Sequence, residues 1–331
     1  GYAYSSSIGP TVVNEFACAL TTVSEGNSNL SAAEKELLCR HFRLGHIGFR
    51  KMQFLMRTGV LAHSEGACRL HAAACKIQPS PLCTACQHGE QKCRPEPGKM
   101  SSVVRDRKGV PKRDNLFPGQ KVSVHHFVCS ARGRLFHARG REHARLQYCG
   151  GAIFVDHASG YIHVSPQVHL NTHETIKAKQ QYEDHCKDYG VIPQEYLSDN
   201  GSAFTSASYT LHLEQFAQVS KFAGVGAHHH NAIAERSIQT VMSIARTMML
   251  HAAMHWGDVA DAKLWPLTIK HAIMMHDHMP DPTNGLSPHD IFTKARWPHA
   301  KFKDCHVWGC PMCVLVKSMA DGKKLPRWKP R

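Results

Sequence analysis

The chain has 331 residues, of which 42% are hydrophobic, so it is long and apolar enough to form about two folded domains and is not a disordered tail. Forty Lys and Arg residues against 26 Asp and Glu residues give a net charge of +14, which favours a polyanionic partner such as nucleic acid. No run of about 18 apolar residues is present, which excludes a membrane-spanning helix. Thirteen cysteines, an odd number, disfavour a complete disulfide framework and favour metal-bound or free thiols in a reducing compartment.

The first 86 residues predict a loose leader followed by a small helical unit. Residues 1–30 are rich in Ser, Thr, Gly and Asn and show weak periodicity. Residues 31–86 carry apolar side chains at helical intervals, interrupted by a short glycine-containing break. Ser31 and Glu34 have the spacing of a capping box, so the first helix is predicted to begin there.

Residues 87–117 form a basic connector, in which several Pro and Gly residues argue against regular structure. Between Lys92 and Arg113 there are eight Lys or Arg residues and only two acids. The segment is compatible both with a solvated linker and with an arm that contacts phosphates. The residues predicted to bind nucleic acid are Lys92, Arg105, Arg107, Lys108, Lys112 and Arg113, together with Arg236 further along the chain. For Arg236, an ordinary solvated helix face is an equally good interpretation.

Residues 118–282 predict a mixed α/β layer fold, because strand signals come first and then alternate with helix signals. The predicted strands lie at 122–127, 152–155, 161–164, 196–199 and 219–222, the second and third being antiparallel across a Ser-Gly turn. The predicted helices lie at 172–189 with Thr172 as the cap, at 208–217, from Ala232 onward, and at 264–276. Residues 283–331 predict a small, basic C-terminal segment of short β-like pieces, such as 306–308 and 313–316.

Four residues in the helical unit have the spacing of a zinc site. His41 and His46 are separated by four residues, and Cys83 and Cys86 form a C-x2-C motif after 36 further residues. Two imidazoles near one helix and two thiolates on a knuckle can form a closed tetrahedral site for structural Zn²⁺. The alternative is a helix with surface histidines and two buried thiols. The side chains that could compete as ligands are Cys68, Cys75, Cys93, His71 and His88.

Two carboxylates have the positions of metal ligands for phosphoryl transfer. Asp199 ends a short strand, and Asn200 and Gly201 turn the chain away, which leaves the carboxylate facing a cleft. Glu235 lies in the first turns of the long helix, and thirty-five residues separate it from Asp199. Oxygen ligands from different elements suit Mg²⁺, and two such ions can activate a nucleophile and stabilise a leaving oxygen. Taken singly, each acid is also compatible with a turn residue or with a helix-terminal Glu favoured by the macrodipole.

These motifs resemble the integrase segment of Ty1/copia-type LTR retrotransposon polyproteins. Residues 39–49 resemble the pre-integrase zinc motif, with Cys39 at a position where the family commonly has Trp. The stretches 199–201 and 234–236 resemble the surroundings of the second and third acids of the family's D,D-35-E core, at the family spacing. The similarity covers about residues 31–331, because segments after the core also match, at 265–266, 285–288 and 307–310.

The resemblance implies an RNase H-like integrase core over residues 118–282, with a mixed five-stranded sheet and flanking helices, preceded by a helical HHCC zinc module over residues 31–86. It implies Mg²⁺ or Mn²⁺ at Asp199 and Glu235, and structural Zn²⁺ at the two histidines and two cysteines. The implied reactions are 3′-end processing and strand transfer of element DNA into target DNA. The implied partners are DNA and further copies of the chain, in the nucleus after a cytoplasmic particle stage.

One position departs from the family pattern. The family's first catalytic Asp lies on the first core strand, at the position where this chain has His125. A neutral imidazole offers one lone pair to a metal, carries no charge and cannot bridge two ions. Asp156 lies on the next strand, but it corresponds to a non-catalytic family Asp and is not expected to replace the missing acid.

The sequence therefore predicts an integrase-like protein with an impaired active site, in which Asp199 and Glu235 are retained and His125 stands in place of the first acid. Two alternatives remain open at this point. One is a non-catalytic DNA-binding or assembly fragment that keeps the zinc module and the basic surface. The other is an inert relic of a retroelement polyprotein.

Overall fold

The computed structural model describes residues 23–24, 26–61, 69–90, 115–137, 143–222, 232–257 and 260–312. Most of the predicted leader and most of the basic connector lie outside these ranges, as does the C-terminal piece at 313–316. Among the described residues, no helix combines the length and the apolar character needed to cross a bilayer. The cysteines within the described ranges are all free thiols.

Four helices lie in the described part of the helical unit. These are α1 (Ala32–Arg43), α2 (Phe49–Arg57), α3 (Arg69–Ala74) and α4 (Thr84–Gly89). The predicted capping box is confirmed, since Ser31 N–H donates to the Glu34 carboxylate and Glu34 N–H donates to the Ser31 hydroxyl. Two residues with left-handed backbone conformations follow the end of helix α1. They are Gly45 at φ 65° and His46 at φ 61°. The His46 N–H bonds back to the His41 carbonyl over 2.8 Å, and this reversal returns His46 to the end of α1.

The sheet has five strands in the spatial order β3-β2-β1-β4-β5. The strands are β1 (Lys121–Gly133), β2 (Tyr148–Asp156), β3 (Ile162–Gln167), β4 (Glu195–Ser198) and β5 (Val219–Phe222). β1 pairs antiparallel with β2, and β2 pairs antiparallel with β3. β4 runs parallel to β1, and β5 runs parallel to β4. An antiparallel meander of three strands followed by two parallel crossover strands is the RNase H-like arrangement, which confirms the predicted fold class.

Five helices of the described ranges accompany the sheet. They are α5 (Thr172–Lys187), α6 (Ala207–Gln215), α7 (Ala232–His255), α8 (Trp265–His278) and α9 (Pro288–Thr293). Short 3-10 helices lie at Ala144–Leu146, Ala262–Leu264 and His299–Asp304. The start of the long helix at Ala232 is as predicted, whereas the next helix begins one residue and ends two residues later than predicted.

Two local predictions are wrong. Helix α5 is capped by Asn171, whose side-chain oxygen accepts the Glu174 N–H over 2.9 Å, and not by Thr172. Asn and Thr are both good N-caps, so the sequence could not separate two adjacent candidates. Residues 306–308 are irregular and not a strand. Val307 and Trp308 pack instead as single side chains into two different apolar clusters.

Alternation along β1 places His125 on the side of the sheet that α7 covers. Val124 is fully buried in a cluster with Tyr182 of α5. Phe127 is buried on the opposite side, in a cluster with Ala234 of α7. Because successive side chains on a strand point to opposite faces, His125 shares its face with Phe127.

The helical unit packs directly on the core. A shared buried cluster joins the two parts through Leu37, Met52, Met275 and Phe302. Arg43, at the end of α1, donates from its guanidinium to the backbone carbonyls of Lys303 and Cys305. These contacts fix the end of α1, which carries the first predicted zinc ligand, against the segment that follows α9.

Candidate functional site

The four predicted zinc ligands lie together at the junction of the helical unit and the core. His41 is in α1, His46 is in the turn after it, Cys83 is the N-cap residue of α4, and Cys86 is in the first turn of α4. Their ligand atoms all lie within 4.8 Å of one another. Within the described ranges, this is the one group of three or more His, Cys, Asp or Glu side chains close enough to hold a metal ion.

The spacing within this group fits a tetrahedral ion. Zn–N bonds of about 2.05 Å and Zn–S bonds of about 2.3 Å imply N···N edges of about 3.3 Å and N···S edges of about 3.6 Å. The distance between His41 Nε2 and His46 Nδ1 is 3.2 Å. Cys86 Sγ lies 3.1 Å from His41 Nε2 and 3.6 Å from His46 Nδ1, and Cys83 Sγ lies 3.5 Å from His46 Nδ1. Three of these four distances lie within about 0.1 Å of the tetrahedral edges and one is about 0.5 Å shorter, so the donor set fits Zn²⁺ after a small adjustment.

The surroundings orient His41 for metal binding. Its Nδ1 lies 2.9 Å from the Ile47 carbonyl, which can only accept, so Nδ1 carries the proton and Nε2 presents its lone pair to the other ligands. Phe49 stacks on the His41 ring at 4.4 Å between centroids. Phe42 and Leu38 complete an apolar shell around the two cysteines. A dry shell of this kind strengthens the attraction between a cation and thiolates.

The two thiols share one proton. The pKa of Cys83 lies well below its usual range, chiefly because the Cys86 thiol hydrogen-bonds to its sulfur. The pKa of Cys86 is raised in turn, because it holds the shared proton beside an ionised Cys83. Burial lowers the pKa of His46, which keeps its imidazole neutral. Closing this donor set around a cation would release the proton that the two thiols share, because a metal binds thiolates.

The competing ligands that the structure describes do not join this group. Cys75 is buried in the cluster between α2 and α8, and His71 Nε2 lies 3.2 Å from the Met56 carbonyl. His88 is exposed on α4. Cys68 and Cys93 lie outside the described residues.

His125 and Asp199 meet at the centre of the sheet. His125 Nδ1 lies 3.3 Å from Asp199 Oδ2, and both side chains are partly exposed. The other Asp199 oxygen accepts the Gly201 N–H over 3.1 Å, which is the turn geometry that the Asp-Asn-Gly stretch predicts. The His125 Nδ1 atom is buried and has no well-aligned hydrogen-bond partner. The pair therefore consists of one carboxylate and one imidazole, where the resemblance implies two carboxylates.

Asp156 is a structural residue. It is fully buried at the far end of β2, where its register partner on β1 is Val122, three residues from His125. Its Oδ1 accepts the Gly119 N–H, and its Oδ2 accepts both the N–H and the hydroxyl of Ser159. With both oxygens engaged in this way, Asp156 cannot supply the carboxylate that His125 lacks.

Glu235 is half-buried in the first turn of α7. Its neighbour Ala234 is fully buried against the sheet, which anchors this turn on the face that carries His125. Glu235, His125 and Asp199 do not converge to metal-ligand distance in the described structure. The loop that leads into α7, at 223–231, lies outside the described residues.

His126 faces the other side of the sheet from His125. Its ring stacks on Phe204 at 4.5 Å, and its Nε2 lies 3.0 Å from the Thr175 hydroxyl. Burial lowers the pKa of His126 to about 4, although the nearby Asp199 carboxylate opposes the shift. His126 is thus a neutral core residue at neutral pH, and it carries no charge into the cleft.

Arg236 is the one predicted nucleic-acid-binding residue that falls within the described ranges. It is exposed on α7, directly after Glu235. The remaining six, from Lys92 to Arg113, lie outside them. Sequence reasoning did not identify Gly89 or His251, which join the metal centre to α7, because no local pattern distinguishes them from an ordinary helical Gly and a surface His.

Comparison with known proteins finds similarity among solved structures. No family model matches the chain, and no curated protein matches it. Among solved structures, the catalytic core of HTLV-2 integrase in complex with magnesium is 16% identical, with a TM-score of 0.38 over 54% of this chain and 98% of that chain. The catalytic core of BIV integrase is 12% identical, with a TM-score of 0.37 over 53% of this chain and 95% of that one. A chain of the simian T-cell lymphotropic virus intasome bound to the PP2A regulatory subunit B56 gamma is 13% identical, with a TM-score of 0.40 over 54% of this chain and 55% of that one.

Proposed function

We propose that the chain is an integrase-like, DNA-binding protein whose strand-transfer chemistry is impaired at position 125. The observation that carries this proposal is the contact between His125 and Asp199 on the α7 side of an RNase H-like sheet. The first strand, the end of the fourth strand and the first turn of α7 supply the three positions that the sequence motifs assign to the acids. Only two of the three are carboxylates.

The residues at this site do not fit a pair of magnesium ions. A carboxylate offers two oxygens and a negative charge, and it can bridge two ions, whereas His125 offers a single nitrogen lone pair. That nitrogen already lies 3.3 Å from Asp199 Oδ2. If this nitrogen carries a proton, it can donate to Asp199 Oδ2 and has no lone pair to offer to an ion. If it carries none, it presents a nitrogen ligand where Mg²⁺ prefers oxygen.

The HHCC centre fits structural Zn²⁺, and we propose zinc as its ion. His41, His46, Cys83 and Cys86 would hold the ion, which would cross-link α1, the turn after it and α4. Closed sites with four protein ligands contribute folding energy and leave no open position for substrate. The zinc would thus stabilise the module and take no part in strand transfer.

DNA is the proposed partner, and the basic residues from Lys92 to Arg113 together with Arg236 are the proposed phosphate contacts. The finer assignment is a Ty1/copia-type retrotransposon integrase, taken from the motif resemblance. From the same resemblance we propose that the chain works as a homo-oligomer, in the nucleus, after a stage in a cytoplasmic particle. The net charge of +14 supports a polyanionic partner independently of the motifs.

A second candidate is a purely non-catalytic DNA-binding or assembly protein. The intact metal centre and its packing on the core favour this candidate, because neither depends on the acid missing at position 125. An inert relic that does not fold is disfavoured by the continuous buried clusters on both faces of the sheet. The two remaining candidates differ in one respect. An impaired integrase should gain strand-transfer activity in His125→Asp, whereas a purely non-catalytic protein should not.

DNA binding is tested by fluorescence anisotropy with a labelled duplex at several salt concentrations. We expect Arg236→Gln to weaken binding and to reduce the salt slope by about one unit, as loss of one phosphate contact does. The matched control is Lys177→Gln. It removes the same charge from an exposed position on α5, which lies on the opposite side of the sheet. Equal effects of the two variants would show that Arg236 acts through net charge alone. If the unmodified chain did not bind the duplex, the proposal that DNA is its partner would be refuted.

A further inference from the structure

Helix α7 belongs to both halves of the molecule. Its first turn carries Glu235, and Ala234 there is fully buried against the sheet. Its second half forms one wall of the HHCC centre. The helix has 24 residues and is about 36 Å long, and Glu235 and His251 lie about 24 Å apart along it.

The first connection runs through α4, the six-residue helix that carries both thiols. Gly89 at the end of α4 lies so close to α7 that an added Cβ would be 2.0 Å from Thr247 Oγ1 and 2.8 Å from Thr247 Cα. Arg246 on α7 also donates to the Gly89 carbonyl over 3.4 Å. Only a residue without a side chain permits this approach, so the backbone of α4 at Gly89 packs directly against α7 at Thr247.

The second connection runs through His251, which is 4% exposed and lies one turn after Thr247. Its ring meets the His46 ring edge-on, at 4.8 Å between centroids and 61° between planes, and it lies 4.5 Å from the Phe42 ring. His46 faces the other ligands through Nδ1, and its Nε2 is buried without a hydrogen-bond partner. The His251 ring therefore packs against the His46 ring and fixes its orientation.

We propose that Zn²⁺ in the HHCC centre clamps α7, so that metal occupancy at one end of the helix sets how firmly the Glu235 turn is held at the other. Gly89 and His251 are positioning residues in this clamp. A helix of six residues is not stable alone, so α4 depends on its two thiol ligands and on α7 for its position. When the ion leaves, α4 is no longer cross-linked to α1. It then packs less firmly on the second half of α7. The inference rests on the proposed zinc assignment.

The test is amide hydrogen exchange on the full chain, first loaded with one equivalent of zinc and then treated with a chelator. We expect chelation to speed exchange about tenfold or more in the second half of α7, and to a smaller extent in its first turns. Exchange in α5, which covers the opposite face of the sheet, should not change. Equal exchange in α7 with and without the metal would overturn the clamp. Failure of the unmodified chain to retain zinc at all would overturn the zinc assignment itself.

A variant pair tests the path of the coupling. Gly89→Ala drives a methyl group into Thr247 and touches no metal ligand, whereas Gly257→Ala adds the same methyl group to open space just after α7. Zinc-loaded Gly89→Ala should retain one ion and still show the fast α7 exchange of the metal-free chain. Gly257→Ala should resemble the unmodified protein. Slow α7 exchange in zinc-loaded Gly89→Ala would overturn the role assigned to the contact between α4 and α7.

Discussion

Replacing Gly45 with alanine perturbs the turn that delivers His46 to the metal centre. Gly45 has φ 65°, a conformation that residues with a Cβ rarely adopt. An alanine Cβ there would lie 3.2 Å from Met275 Cγ and 3.3 Å from Met248 Sδ. The substitution therefore adds a backbone strain and a steric contact with two helices of the core.

The expected loss follows from these two contributions. Left-handed backbone costs a residue with a Cβ about 1–2 kcal/mol. Overpacking costs about 1–3 kcal/mol, and the flexible methionine side chains place this site toward the low end of that range. The free energy of unfolding should thus fall by about 2–4 kcal/mol. The control is Gly190→Ala, because Gly190 has φ 68° but an added Cβ meets nothing within 4 Å, so only the strain of about 1–2 kcal/mol applies.

The assay is urea unfolding of the zinc-loaded chains, followed by circular dichroism. Gly45→Ala should unfold at a clearly lower urea concentration than Gly190→Ala, which in turn should unfold below the unmodified protein. The zinc affinity of Gly45→Ala should also fall, because His46 is displaced. Equal losses in the two variants would refute the steric argument, and no loss in either would refute the strain argument.

Three further predictions concern metal binding, a buried ion pair and pH. Cys83→Ser should abolish the retention of one zinc ion per chain, measured by elemental analysis after dialysis; full retention would contradict the assignment. Lys179→Met should cost about 3 kcal/mol or more of unfolding free energy, because it leaves Glu183 buried without its 2.8 Å partner, whereas Lys187→Met at an exposed pair should not change stability. The pKa of His126 is about 4 in the fold and near 6.5 in the unfolded chain, so the unfolded chain binds more protons between these values. Stability therefore falls as the pH is lowered through this range, by about 2 kcal/mol at pH 5. His126→Gln should reduce that loss in urea titrations, and an unchanged loss would contradict it.

Much of the fold could be predicted from local patterns in the sequence. The strand Val219–Phe222 and the start of α7 at Ala232 are where the sequence placed them, because turn residues and apolar periodicity mark both. The spacing of the histidines and cysteines predicted a group that the structure brings together. In each case the information lies within a few residues of the feature.

The features that escaped prediction depend on contacts far apart in the sequence. β1 runs to Gly133, six residues beyond the predicted end at Phe127, because its far end crosses a bulge and packs closely on Trp265. Residues 306–308 have β-prone side chains, but the part of the chain that the structure describes offers them no neighbouring strand to pair with. The contact between Gly89 and Thr247 follows only from the tertiary fold, so the coupling between metal centre and core could not be read from either segment.

The central claim is the proposal that His125, at the position of the first acid, impairs strand transfer. The most direct measurement is strand transfer of a labelled DNA end into target DNA, in Mg²⁺ and in Mn²⁺, by the unmodified chain and by His125→Asp. We expect little or no product from the unmodified chain, a clear gain in His125→Asp, and loss of that gain when Asp199→Asn is added. Robust activity of the unmodified chain would contradict the account, and so would a gain in His125→Asp that survives Asp199→Asn.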